Sequence, residues 1–155
     1  MEAHRIADQL RRSLDGTAWH GPALRELLDG VSAEQAAARP IDNAHSIWEL
    51  VLHIDAWRGA AARGLDGSPV DLTSAEDWPA VAAASEEDWR RAIETLERNT
   101  AAMCDRVAGL EDSDLERQLP PRNYTVYFLL HGLVQHNLYH AGQIALLKKF
   151  GPGAR

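Results

Sequence analysis

Gln135-His136-Asn137-Leu138-Tyr139-His140-Ala141-Gly142-Gln143 lies inside the long apolar run Tyr124–Phe150. Apolar residues on nearly every side of that run predict a helix buried by several neighbours. His136 and His140 stand four residues apart, so they share one helix face, one turn from each other. Two imidazoles held this way are pre-oriented to grip one divalent ion. A third, His53, lies far upstream on the apolar side of another helical stretch, Ser46–Arg63.

The rest of the chain reads as helices separated by Gly and Pro. Ile6, Leu10 and Leu14 recur every four residues and predict a helix over Glu2–Leu14. Pro22 suits the first turn of a new segment that carries Leu24, Leu27 and Leu28 and stops at Gly30. Ser32-x-x-Gln35 is a capping-box pattern opening a short helix that ends before Pro40. In the second long helix, Ile47, Leu50, Val51, Ile54, Ala60 and Ala61 mark the buried side. Gly64–Pro79 reads as an irregular crossover loop. Ser85 caps a third long helix with Glu86, Glu87 and Asp88 at its positive end. Its core stripe runs Trp89, Ile93, Leu96, Thr100, Met103 and Val107. A short turn is expected in Ser113–Leu119. Asn123 or Thr125 then caps the last helix, which Gly151-Pro152-Gly153 stops. Four main helices with one long crossover predict an all-α four-helix bundle, in one domain spanning residues 1–155. Metal sites in such bundles are built from side chains on facing helices.

Composition narrows the function. The 155 residues are 45% hydrophobic and 25% charged, ordinary for a globular chain. A net charge of -7 argues against nucleic acid and against anionic membrane as partners. Met1–Leu14 is charged and amphipathic, so no signal peptide is expected. The run Tyr124–Phe150 carries three His, two Gln and two Lys and does not read as a membrane span. The single cysteine, Cys104, excludes an internal disulfide and fits a reducing cytoplasm. Cys104 reads as a small core residue rather than a nucleophile.

Neutral imidazole is a good ligand for zinc, nickel, iron or copper. Three protein ligands leave one position open, which is the catalytic rather than the structural pattern. The pair lacks the general base of an HExxH helix, because Asn137 stands where the glutamate would be. The other reading of each histidine is a hydrogen-bonded, metal-free core residue. Glu49 sits one turn before His53 and is a candidate catalytic base or a partner of a ligand histidine, or else a surface glutamate. Trp57, one turn after His53, is expected in the core, with a wall of the pocket as its other reading. Gln143 could reach the back of His140, and Gly142 could permit close helix approach. Tyr139 and Asn137 are expected to point away from the histidine face. His45 is expected to be a cap or surface residue, with the pocket mouth as its other reading. His131 is off the ligand face, His4 is solvated, and His20 has no expected place.

The segment Ser46-Ile47-Trp48-Glu49-Leu50-Val51-Leu52-His53-Ile54, followed by His136-Asn137-Leu138-Tyr139-His140-Ala141-Gly142-Gln143-Ile144, resembles the DinB-like superfamily. That four-helix-bundle group includes the damage-inducible DinB proteins, YfiT-like metal-dependent hydrolases and thiol-dependent S-transferases. The resemblance extends over nearly the whole chain. It implies a metal triad at His53, His136 and His140, a divalent ion such as zinc or nickel, and a homodimer. It also implies a small-molecule substrate and a low-molecular-weight thiol such as mycothiol or bacillithiol, in S-transfer or isomerisation. The alternative is a non-catalytic metal- or small-molecule-binding bundle with a role in stress.

Overall fold

A computed structural model describes residues 1–81 and 84–151. Among these residues the protein is helical, with no strand beyond an isolated bridge between Gln118 and Thr125. Four long helices dominate: α1 (Glu2–Leu14), α4 (Ile47–Leu65), α6 (Glu86–Ala108) and α7 (Val126–Phe150). Three shorter ones, α2 (Leu24–Leu28), α3 (Ala33–Ala37) and α5 (Ser74–Asp77), fill the connections, and a 3-10 turn spans Asp112–Glu116. The long helices touch in a closed ring, α1 on α6, α6 on α4, α4 on α7 and α7 on α1.

Local chemistry sets the helix starts. Ser32, Ser46 and Thr73 each accept from the backbone N–H three residues on, and Gln35, Glu49 and Glu76 reach back to close capping boxes. Ser85 caps α6, and Thr125 rather than Asn123 caps α7. Pro22 stands outside α2, whose cap is Ala23, so it leads into the helix instead of occupying its first turn. Gly151 is the C-cap of α7, while Pro152 and Gly153 lie outside the described residues.

The expected crossover Gly64–Pro79 is shorter and more ordered than its composition suggests. The second long helix continues through Gly64 to Leu65, and α5 forms inside the loop. A Cβ at Gly64 would meet Val70 Cγ2 at 2.4 Å, so glycine lets the returning chain pack against the helix. The close-approach role expected of Gly142 belongs to Gly64 instead, because a Cβ at Gly142 would meet nothing within 4 Å.

The core divides into two apolar clusters. One holds Ile6, Leu10, Ala61, Met103, Val107 and Leu130, and the other holds Leu14, Leu24, Val51, Ile54, Leu96 and Ile144. Each fully buried Leu or Ile contributes on the order of 1.5–3 kcal/mol relative to exposure. On every long helix the changeover between clusters carries a buried polar residue: Ser13, Arg58, Thr100 and Asn137. Asn137 Nδ2 donates to Ser13 Oγ at 2.7 Å, and Arg58 Nη2 donates to Asn137 Oδ1 at 3.3 Å. Thr100 turns its hydroxyl back to Leu96 O at 2.6 Å. Asp55 Oδ1 lies 3.8 Å from Arg58 Nη1, and both its oxygens accept from Asn99 Nδ2 at 3.0 Å. A polar layer thus crosses the bundle beside the histidines of α4 and α7.

Candidate metal centre

α4 and α7 carry the three histidines to one point. His53 and His140 are buried and His136 is half-buried. His136 Nε2 lies 3.0 Å from His53 Nε2 and 3.0 Å from His140 Nε2, and the ligand atoms of all three fall within 4.8 Å of one another. α7 packs against α4, α1, α2 and the 3-10 turn, while Tyr127, Phe128, Tyr139, Leu146 and Phe150 on it stay exposed.

The outer nitrogens decide the tautomers. His53 Nδ1 lies 2.7 Å from the backbone oxygen of Asp77 and 3.1 Å from its Oδ1. Both atoms only accept, so Nδ1 holds the proton and Nε2 presents a lone pair. His140 Nδ1 faces Gln143 Oε1 at 2.6 Å, which has the same consequence. His136 could donate from Nε2 to one of these lone pairs but not to both. Its Nδ1 is buried without a hydrogen-bond partner among the described residues, so nothing behind the ring fixes its tautomer. Three Nε2 atoms this close, two of them obligate acceptors, are reconciled by a cation between them. The donor set fits such an ion: imidazole nitrogens, oriented from behind by a carboxylate, a carbonyl and an amide.

Electrostatics favour the neutral forms of His136 and His140. Burial pushes the His136 pKa down to about 3, helped by His140, His53 and the Arg58 guanidinium. Burial also lowers His140, with His53 and His45 acting the same way, against the raising effects of Gln143 and Asp77. Neutral imidazole is the form that ligates a metal.

Around the trio, Trp78 stacks on His53 at 3.9 Å between ring centroids and on His45 at 3.5 Å, both within 5° of parallel. His45, its side chain 42% exposed, thus stands at the surface beside Trp78, nearer its pocket-mouth reading than a cap. Trp57 was expected in the core; it is half-buried, donates from Nε1 to Asp77 Oδ1 at 2.7 Å and sits edge-on to His136.

The profile of the DinB superfamily matches residues 17–144, a span that holds all three histidines. The chain belongs to the DinB superfamily. No curated protein and no solved structure matches it.

In this DinB-superfamily chain the Glu49 carboxylate is occupied elsewhere. It accepts from the Ser46 backbone N–H at 2.8 Å and pairs with Arg39. Partial burial raises its pKa, but the Ser46 hydrogen bond and Arg39 outweigh that and hold it below the usual value. Gln143 does stand behind His140, as its spacing suggested. Asn137 turns into the polar layer, and Tyr139 is exposed. His20 is exposed in a groove with Trp19, Ser13 and Leu138, whose lining includes none of the three ligands. Cys104 packs at the edge of the first cluster, and burial pushes its thiol up, as suits a protonated core cysteine. Asp77 and Trp78 were not foreseen. The one signal for them was Thr73-x-x-Glu76, a capping box whose helix ends in those two residues.

Proposed function

We propose that the chain forms one DinB-type four-helix-bundle domain with a long crossover, acting in the cytoplasm as a metal-dependent enzyme on a small molecule. His53, His136 and His140 hold a divalent ion, zinc or nickel. The observation that carries this is the commitment of His53 Nδ1 and His140 Nδ1 to acceptors, which turns their Nε2 lone pairs toward a common point. Such an ion supplies a Lewis acid that lowers the pKa of a low-molecular-weight thiol or of water, for transfer or hydrolysis. The chain's own residues favour neutral His136 and His140, fix the tautomers of His53 and His140 through Asp77 and Gln143, and cover the His53 ring with Trp78. Assembly as a homodimer belongs to the same proposal, supported by the exposed Tyr139, Leu146 and Phe150 on α7.

The second reading is a non-catalytic metal- or small-molecule-binding bundle with a role in stress. It is favoured by the carboxylates near the histidines, which are already engaged: Glu49 with Ser46 and Arg39, and Asp77 with His53 and Trp57. Elemental analysis of tag-free protein tests the shared core of both readings. About one zinc or nickel per chain is expected in the wild type, and none in His53→Ala at unchanged helical content. Equal metal in the two proteins defeats the assignment. Turnover of electrophiles by the metal-loaded protein with added thiols then separates enzyme from binder.

A further inference from the structure

An apolar groove of about 220 Å³ runs between α4 and α7 and ends on His136. Trp57, Tyr124, Phe128, Leu129 and Leu133 wall it, and Gly132 forms its floor. No charged side chain lines it. The Trp57 ring is held by its bond to Asp77 Oδ1, the same carboxylate that stands behind His53. Tyr124 and Phe128 pack against each other at 5.2 Å, and Phe128 remains 63% exposed.

Gly132 is the telling residue. Glycine weakens a helix interior relative to alanine, so a glycine in mid-helix calls for a local reason. At Gly64 the reason is the returning chain. At Gly132 a Cβ would meet nothing within 4 Å, so protein packing supplies none. Glycine there leaves the lining of the groove open beside His136.

We propose that this groove is a subsite for one aromatic ring of a small-molecule ligand whose polar end faces the three histidines. The inference rests on the metal-centre reading for the direction in which the ligand points, not for the groove. Size selects the occupant. An apolar cavity of roughly 150 Å³ accommodates benzene, whereas drug-sized ligands need roughly 300 Å³ or more. Chemistry selects it too, because an anion placed between Trp57, Phe128 and Leu133 would meet aromatic faces and no cationic side chain, whereas a ring stacks on them.

Benzyl alcohol is the probe, followed through the indole N–H resonance of Trp57 in isotope-labelled protein. A saturable shift at millimolar concentration is expected, with glycerol producing none. Gly132→Leu should weaken binding at least tenfold while metal content and helical content match the wild type. Phe128→Ala, a change at an exposed wall, should weaken it several-fold and covers the case in which the leucine variant folds poorly. No saturable shift, a shift indifferent to both substitutions, or sedimentation showing a dimer that closes the groove to the probe would each overturn the proposal. Metal content is read separately. A protein that retains no metal but binds benzyl alcohol in this way loses the centre and keeps the subsite, and the converse result loses only the subsite.

Discussion

Asp77 touches His53 twice, through its backbone oxygen at 2.7 Å and through Oδ1 at 3.1 Å, both directed at Nδ1. The two residues lie 24 positions apart, and a four-residue helix between them makes the contact possible. Thr73 caps that helix, the chain leaves it extended at Trp78, and the indole is laid on the His53 ring. One short element therefore both orients a ligand and covers it.

Removing the Asp77 carboxylate should loosen metal without unfolding the protein. Groups that orient a ligand histidine from behind are worth roughly 10–100-fold in metal affinity. In Asp77→Ala the backbone oxygen remains, so a loss near the lower end, about tenfold, is expected. Trp57 also loses its acceptor, and its indole resonance should shift. Competition with a chromophoric chelator measures the affinity; wild-type affinity in this variant would mean the carboxylate does not support the centre.

The pH dependence of the metal-free protein has a defined sign. His136 has a folded pKa of about 3 against an ordinary 6.5, and His140 is lowered as well. Between these values the unfolded chain binds protons that the folded chain refuses, so stability rises with pH. The contribution is complete above about pH 6.5 and is lost as pH falls towards 3. For half-buried His136 the loss at pH 5 is about 2 kcal/mol at most, before solvent screening reduces it. Asp8 and Glu49 are lowered from 3.8 and 4.5, so their own losses begin only at more acid pH. Urea unfolding of chelator-treated protein at pH 7 and pH 5 should show this fall, and His136→Gln should flatten it. A wild-type curve that is flat or rises toward acid contradicts the neutral-imidazole account.

The spacing of His136 and His140, the apolar register that puts His53 inside, and most helix starts were legible in the chain. They depend on contacts within a turn or on the helical period, which sequence displays directly. Asp77 and Trp78 were not legible, because their role arises from where a loop folds back, and an eight-residue window carries no record of that. Gly142 was misread for a related reason: whether a glycine faces a neighbour or open space depends on the other helix. Arg58 is a mixed case. It lies four residues after Ile54 and seven after Val51, so the period places it inside, yet its charge alone argues for the surface. The structure sides with the period and buries it to 2% exposure.

That burial leads to the last expectation. Burial lowers the Arg58 pKa to about 10, against the raising effects of Asp55 and Cys104, so it stays charged near neutrality. Its Nε and Nη1 have no hydrogen-bond partner among the described residues, and Asn137 Oδ1 is the acceptor it does reach. Taking away one partner of a buried charge costs more than replacing the charge with an apolar side chain of like volume. Asn137→Ala should therefore destabilise the protein by about 2–4 kcal/mol, since it removes the one acceptor among the described residues within hydrogen-bond reach of the guanidinium and leaves Ser13 only its bond to Leu10 O. Arg58→Met should fall within about 1 kcal/mol of wild type or above it, because a flexible thioether joins the two apolar clusters. In the double variant Arg58→Met/Asn137→Ala the cost of losing Asn137 should shrink, as coupling within one network requires. Denaturant midpoints for the four proteins give the cycle directly. Additive losses would show that the layer is a set of independent contacts and that Arg58 finds its compensation elsewhere.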